Sequence, residues 1–421
     1  MNKSDSERFA SYLEDLGFGE AGERKEADLV VLNTCGVRQS AEDRIYGLIP
    51  KIRRENPGVK IILTGCLSAR RDVQQKVGDR VDVWLPIIYL PQLEEELREL
   101  FPELEIKKMS NMDREEDYLK INPKMNSDIS AFVPIGNGCD NFCAYCVVPY
   151  ARGREKYRPS QDIVEEVKQW VDQGFREITL IAQNVNSYSD PDKKIDFSDL
   201  LGKIDRIPGN FWIRFATSHP KDMKDKLIDI IAESDKICRH IHLPAQAGDN
   251  KVLANMNRKY TAQHYKELVG QIRKKIPGAS LTTDIIVGFP GETEEQFQNT
   301  ADLFREVKFD MAYIAQFSPR PGTAAADMED DVPAADKKRR EEELMSILRQ
   351  TAYENNQEYI GKEVDVLVEG KDKKGNWFGR TDTNKNVKIE NKGEADLAGT
   401  FHKVKIITAE DFGLKGEIKK P

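Results

Sequence analysis

IGNGCDNFCAYCVVPYARGRE, residues 135–155, decides how the chain is read: Cys139, Cys143 and Cys146 fall within eight residues, directly after a predicted strand. Thiolates at C-x3-C-x2-C spacing suit an iron-sulfur cluster, and three protein ligands leave one iron open to a substrate or cofactor. A structural zinc site needs a fourth Cys or His to close its tetrahedron, and the loop holds none. Six cysteines in 421 residues are too few for a disulfide scaffold. Cys238, in ESDKICRHIHLP, lacks a partner at ligand spacing and reads as a core residue.

Outward from the loop, short apolar runs recur from Ala131 to Gly322, each broken by a helix-like segment: AFVPIG, ITLIAQN, WIRFAT, HIHLPAQ, SLTTDIIVGFPGE and MAYIAQFSP. Six strand-helix units predict an open or partial (β/α)6 barrel. Upstream, DLVVLNTCG and VKIILTGC are β-branched runs, each ending at a cysteine, with a helical pattern over 38–55 between them. They predict a small α/β domain with a parallel sheet, Cys35 and Cys66 lying at its functional edge. Residues 109–128 have the composition of a linker. Downstream, Leu344, Ile347, Leu348 and Ala352 repeat at helical spacing, so a connecting helix is expected over 334–359. From Gly361 the alternating segments EVDVLVEG, NWFGRT, NVKIEN and HKVKIITAE predict a small β-barrel. The expected class is α/β multidomain, with boundaries 1–108, 109–128, 129–355 and 356–421.

Net charge is -8, yet residues 361–421 hold 13 Lys+Arg against 11 Asp+Glu, so the last domain is mildly basic and its Trp377 is a candidate stacking platform for RNA. Arg152, Arg154, Lys156 and Arg158 follow the cysteine loop and are candidates for phosphate contact. No apolar run approaches the roughly 20 residues of a membrane-spanning helix, and the amino terminus has no signal-like pattern. A cytoplasmic protein is expected, with no membrane partner.

The cysteine spacing, with Tyr145 before the third thiol, resembles the signature of the radical S-adenosylmethionine superfamily. VLNTCGVRQSAEDR, LTGC, IAQNVNSY, FATSHP, LPAQAGDNKVLANMNRKYT, TDIIVGFPGETEEQF and QFSPRPGTAA, in this order around it, resemble the methylthiotransferases, and specifically the tRNA 2-methylthio-N6-isopentenyladenosine synthase branch. The segments QNVNSY, FATSHP and MNRKYT lean away from the branches that act on threonylcarbamoyl-adenosine or a ribosomal-protein aspartate. An RNA-binding iron-sulfur protein without this activity is the alternative of another class.

The resemblance implies a flavodoxin-like amino-terminal domain, a radical S-adenosylmethionine barrel and a TRAM-like RNA-binding barrel. It implies a 4Fe-4S cluster on Cys139, Cys143 and Cys146, S-adenosylmethionine at its open iron, and methylthiolation of an adenosine beside the anticodon of tRNA. Gln183 and Asn184 would approach the cofactor's methionine moiety, with Tyr145 nearby. Ser218, Gln246 and Asp284 are candidates for ribose or nearby polar contacts, and the turn from Gly288 to Glu292 would pass the adenine. No catalytic residue beyond the cluster is assigned, and His219, His240 and His242 are read as structural. An electron donor such as flavodoxin or ferredoxin, and a sulfur donor or iron-sulfur carrier, are the implied partners of a monomer. The family carries an auxiliary 4Fe-4S cluster on three amino-terminal cysteines. Cys35 and Cys66 match two of them, but the chain opens at MNKSDSE, just after the place of the third in a G-C-x-M-N-x-x-D-S-E motif. The domain is therefore expected to be truncated at its start, and the auxiliary cluster to be weak or absent in this chain.

Overall fold

The computed structural model describes residues 1–36, 39–107, 117–390 and 396–418. The chain forms two compact units, both discontinuous in sequence. The first comprises Met1–Asn126, Asn137–Lys156 and Ser318–Ala326; the second comprises Ser127–Gly136, Tyr157–Phe317 and Asp327–Pro421.

In the first unit, β1 (Leu29–Thr34), β2 (Lys60–Gly65) and β3 (Val83–Leu85) form a parallel sheet in that order, with Leu29 opposite Lys60 and Ile62 opposite Val83. Phe9 and Tyr12 of α1 (Asn2–Asp15) and Leu93 and Leu97 of α4 (Leu93–Leu100) share one core with Ile62 and Leu85. Ile49 and Ile52 of α2 (Gln39–Glu55) and Val73 of α3 (Arg71–Val77) share another with Ile61 and Leu63. Successive residues of β2 thus enter opposite cores, as the two-residue strand period requires, and a sheet covered on both faces reads as a continuous apolar run. Residues 117–128 have linker composition, yet Tyr118, Leu119 and Ile121 are buried in the α1 core; residues 108–116 of the same stretch lie outside the described ones. A short helix, α5 (Val148–Arg152), completes the unit after the cysteine loop.

In the second unit, six parallel strands form the partial barrel: β4 (Ser130–Pro134), β5 (Glu177–Ile181) and β6 (Trp212–Phe215) in one sheet, and β7 (His240–His242), β8 (Ser280–Val287) and β9 (Met311–Gln316) in the other. A parallel bridge between Ile213 and Ile237 joins the two sheets. The helices between the strands are α6 (Ser160–Asp172), α7 (Phe197–Asp205), α8 (Asp225–Glu233), α9 (Asn250–Asn255), α10 (Ala262–Lys275) and α11 (Glu294–Val307). Asp196 and Thr293 open α7 and α11 with reciprocal capping boxes, which satisfy first-turn amides that have no partner inside a helix. The connecting helix α12 (Ala334–Gln357) buries Leu344, Leu348 and Ala352 and packs against β9 and α11.

A closed five-stranded barrel follows: β10 (Glu363–Lys371), β11 (Trp377–Thr381), β12 (Asn386–Glu390), β13 (Phe401–Glu410) and β14 (Gly413–Ile418), in the order 10-11-12-14-13. It is mounted on the amino-terminal ends of the large barrel's strands. Glu177, first in β5, accepts from Arg214 at 2.5 Å and Arg380 at 2.8 Å, and Arg214 also donates to the Thr381 and Asp382 carbonyls. Trp212 meets Phe401 edge-on with ring centres 4.8 Å apart. Cys238 is buried beside Trp212 and Leu367, and burial pushes its thiol to about 12, which suits the core role read from sequence.

Candidate functional site

The cysteine loop belongs to the first unit. Gly138, at φ +80°, lets the strand turn into the loop where a Cβ would lie 2.1 Å from the Arg154 carbonyl, so only glycine fits. The Cys139 amide donates to the Gly153 carbonyl, the Cys146 amide to that of Cys143, and the Ala325 amide to that of Ala144, which pins the loop at its ends and middle. Tyr145 is half-buried within it. Burial pushes the Cys139 thiol up, and burial with Cys143 alongside pushes Cys146 to about 12. Such thiols hold their protons at neutral pH, so cation binding must displace those protons and strengthens as pH rises.

Among the described residues, no group of three His, Cys, Asp or Glu side chains converges on one point as ligands of a single ion would.

Cys35 and Cys66 follow β1 and β2 directly, at the carboxyl edge of the parallel sheet. The Cys66 amide donates to the Thr34 carbonyl, and a Cβ on Gly36 would meet the Cys66 Cβ at 2.9 Å and Val147 Cγ2 at 3.2 Å. The sheet edge and the cysteine loop are therefore in contact. Beside them lies a cavity of about 430 Å³ lined by Cys66, Arg70, Val147, Tyr150 and Pro321 among others.

Arg152 is not a surface cation. Its side chain is buried, pairs with the Asp5 carboxylate at 2.5 Å and donates to Asn137 Oδ1 at 3.0 Å and the Tyr118 hydroxyl at 3.4 Å; that hydroxyl donates in turn to Asp5 at 3.2 Å. The candidate phosphate contact is instead the anchor of the loop to α1. Arg158 is likewise half-buried, bound to Glu166 and the Pro134 carbonyl. Arg154 and Lys156 are exposed, Arg154 pairing with Asp140 at 3.0 Å and lying over the Phe142 ring. Trp377 is 5% exposed within the small barrel's core, where its ring has no face to offer a base.

The remaining candidates lie at the carboxyl end of the partial barrel. Gln183 and Asn184 follow β5, Ser218 follows β6, Gln246 follows β7, and Gly288 ends β8, which carries Asp284. Gln183 Oε1, Asn184 Oδ1 and Ser218 Oγ are buried without a hydrogen-bond partner, although Asn184 Nδ2 donates to Asp222. Three orphaned polar atoms at one end of a barrel are the acceptors and hydroxyl that a polar ligand would satisfy. Thr217 and Gln246 hold φ of 73° and 67°, a strained conformation for residues with side chains, of the sort that collects at ligand sites. The Gln246 backbone prolongs the sheet through bonds to Asp284 and Ile286. Gly288 turns at φ +67°, its amide donating to the buried Glu292 carboxylate, which Arg340 also binds at 2.8 Å. Burial nevertheless pushes the Glu292 carboxyl up. The unpartnered amide oxygens and hydroxyl suit a polar ligand that brings hydrogen-bond donors.

Sequence reasoning missed Asp5 and Tyr118, because nothing local marks partners 147 and 34 residues from Arg152. It also missed the clasp in which Asn186 bonds the backbone of His219 in both directions.

The chain matches the Radical SAM superfamily over residues 133–304, the uncharacterized protein family UPF0004 over 1–85 and the TRAM domain over 357–419. It is 43% identical to the tRNA-2-methylthio-N(6)-dimethylallyladenosine synthase of Carboxydothermus hydrogenoformans, across 99% of this chain and 96% of that one. To the enzyme of the same name from Moorella thermoacetica it is 41% identical, with the same shares covered. In fold it is similar to the radical S-adenosylmethionine methyltransferase TsrM of Kitasatospora setae, at a TM-score of 0.52 and 17% identity over 76% of this chain and 73% of that one.

Proposed function

The chain belongs to the family of the tRNA-2-methylthio-N(6)-dimethylallyladenosine synthases, and on that premise we propose that it adds a methylthio group to C2 of N6-isopentenyladenosine beside the anticodon of tRNA. The observation that carries the proposal is the packing of the three-cysteine loop against the Cys66 edge within one compact unit, which brings the two cysteine sets of a methylthiotransferase together.

Cys139, Cys143 and Cys146 would hold a 4Fe-4S cluster with one iron left for the amino and carboxyl groups of S-adenosylmethionine. When bound, the cluster and S-adenosylmethionine supply the electron and the radical that remove hydrogen from an unreactive aromatic carbon. The protein's own contribution is placement. Gln183 Oε1, Asn184 Oδ1 and Ser218 Oγ are buried without a partner and would bond polar groups of the bound cofactor. The Asp5–Arg152 pair fixes the loop that carries the ligands. Cys35 and Cys66 would be two of the ligands of an auxiliary cluster that handles sulfur, to whatever extent that cluster forms in this chain, and the adjacent cavity leaves room for a small sulfur species. An anticodon-loop nucleotide is already unstacked from a duplex, which suits an enzyme that must reach a ring carbon. No helix of the described residues is long and apolar enough to cross a membrane, and a cytoplasmic enzyme acting as a monomer with a one-electron donor and a sulfur donor is the matching setting.

The test is anaerobic reconstitution, followed by mass spectrometry of 5'-deoxyadenosine and of the modified nucleoside. Cys143→Ala is expected to abolish both products, since no neighbouring thiol replaces the lost ligand. Cys66→Ala is expected to remove whatever methylthiolation the parent chain shows while 5'-deoxyadenosine still forms. Radical formation in the Cys143 variant, or methylthiolation in the Cys66 variant, would overturn the corresponding assignment.

A further inference from the structure

Phe142, joined by its peptide bond to Cys143, holds a left-handed backbone at φ 46°. A bulky side chain makes that conformation costly, and it persists where the surroundings enforce it, most often at sites that bind something. Its effect here is to present an aromatic ring rather than to bury one: Phe142 is 36% exposed. Tyr150, on α5, is 60% exposed and meets it edge-on, with ring centres 6.2 Å apart.

The rings are flanked by charge. The Arg154 guanidinium lies 5.4 Å from the centre of the Phe142 ring, and Lys156 is exposed two residues further on. Arg71, also exposed, lines the cavity to which Tyr150 belongs. Asp140 pairs with Arg154 at 3.0 Å and accepts from the amide of the half-buried Glu155 at 3.1 Å. Three cations thus face two carboxylates around the aromatic pair, all within the first unit. Two rings are a small surface for a stable protein partner, which needs roughly 800 Å² on each side. They match what an unstacked nucleotide brings, a flat π-face beside a phosphate. Arg154 and Lys156 are also the two phosphate-contact candidates that stay in solvent, and the buried Trp377 leaves the stacking role to another part of the chain.

We propose that Phe142, Tyr150 and Arg154 form a stacking platform for the RNA base next to the one that is modified, with Lys156 and Arg71 at the adjoining phosphates. The inference rests on the proposed function. A base whose ring carbon is to react must approach the loop that carries Cys139, Cys143 and Cys146, and drawing it out of the stack deprives its neighbour of a partner. The platform supplies that partner, and Phe142 carries the backbone strain that holds it outward.

The test uses the reconstituted full chain and an isopentenylated anticodon stem-loop RNA with 2-aminopurine beside the modified adenosine, a base whose fluorescence is quenched by stacking. Binding is expected to quench it in the parent and in Phe142→Tyr, which keeps a ring, but not in Phe142→Leu, whose affinity falls on the order of tenfold, the scale of one stacked base. On an RNA that is abasic at the same position, Phe142→Leu is expected to bind as the parent does. Lys156→Gln weakens binding and lowers the slope of log affinity against log salt by about one. Tyr150→Leu, outside the cysteine loop, gives the same reading where Phe142→Leu lowers iron content. Full quenching and undiminished affinity in both Leu variants, or losses that persist on the abasic RNA, would overturn the inference. Slower cluster reduction by flavodoxin in both variants, with RNA binding intact, would assign the surface to an electron donor instead. A parent that stacked the RNA base yet formed neither 5'-deoxyadenosine nor a modified nucleoside would sink the proposed function and leave the platform standing.

Discussion

Arg152 and Asp5 are both almost fully buried, so the cost of breaking their pair is set less by the lost attraction than by the charge left behind. Arg152→Ala is expected to destabilise the protein by ~3–5 kcal/mol, whereas Tyr118→Phe, which removes one neutral hydroxyl from the same network, costs about 1 kcal/mol. Chemical-denaturation midpoints check the ratio, and equal losses would mean that the charge carries no special penalty. His219 has the opposite character. It is buried and lowered to about 2, chiefly by burial and then by Arg258. Between that value and the ordinary histidine value the unfolded chain binds a proton that the native chain refuses, so His219 favours the native state above pH 6.5 and opposes it progressively as pH falls. The parent is expected to lose up to about 1.4 kcal/mol per pH unit more than His219→Gln below pH 6, read as diverging thermal midpoints.

The elements legible in the sequence were those whose period is local. The six barrel strands, the α/β layering of the amino-terminal part, the helix over 334–357 and the five closing strands all follow from alternation or helical spacing, and the three-cysteine loop follows from spacing alone. What failed was the reading of exposure. Arg152, Arg154, Lys156 and Arg158 look alike along the chain, but Arg152 and Arg158 are drawn out of solvent by acids that folding brings near, whereas Arg154 stays exposed beside Asp140. Trp377, Gly379 and Thr381 alternate inward on β11, so the aromatic ring most suited to stacking fills the barrel instead. An RNA contact made by this barrel does not use the Trp377 ring, and the part of its affinity that rests on charge should fall steeply with salt. Glu177 is the element-scale joint: it neutralises two guanidinium groups where the small barrel meets the large one. Glu177→Gln leaves Arg214 buried with excess charge, and a destabilisation of ~3–5 kcal/mol is expected, with the loss read as early unfolding of the small barrel by hydrogen exchange. Protection unchanged in β11 and β13 would show that the mount does not depend on the charge.

Over the whole molecule, the chain passes five times between its two compact units, so neither unit corresponds to a continuous segment. The consequence is sharpest for residues 137–156, which carry the cluster ligands. By sequence they sit inside the central barrel, but Arg152 is anchored to Asp5 and Tyr118, and Val147 lies against Gly36, next to Cys35. Removing residues 1–126 would leave all three cysteines and every barrel strand in place while exposing Arg152 and the apolar side of the loop. A barrel that carried its own cluster site would bind iron normally after such a cut. The packing predicts the reverse: the shortened protein retains the helix and strand content of the second unit by circular dichroism but holds little iron after reconstitution and forms no 5'-deoxyadenosine. Full iron occupancy in the shortened protein would show that the loop is shaped by the barrel alone, and that the Asp5–Arg152 pair serves stability rather than the site.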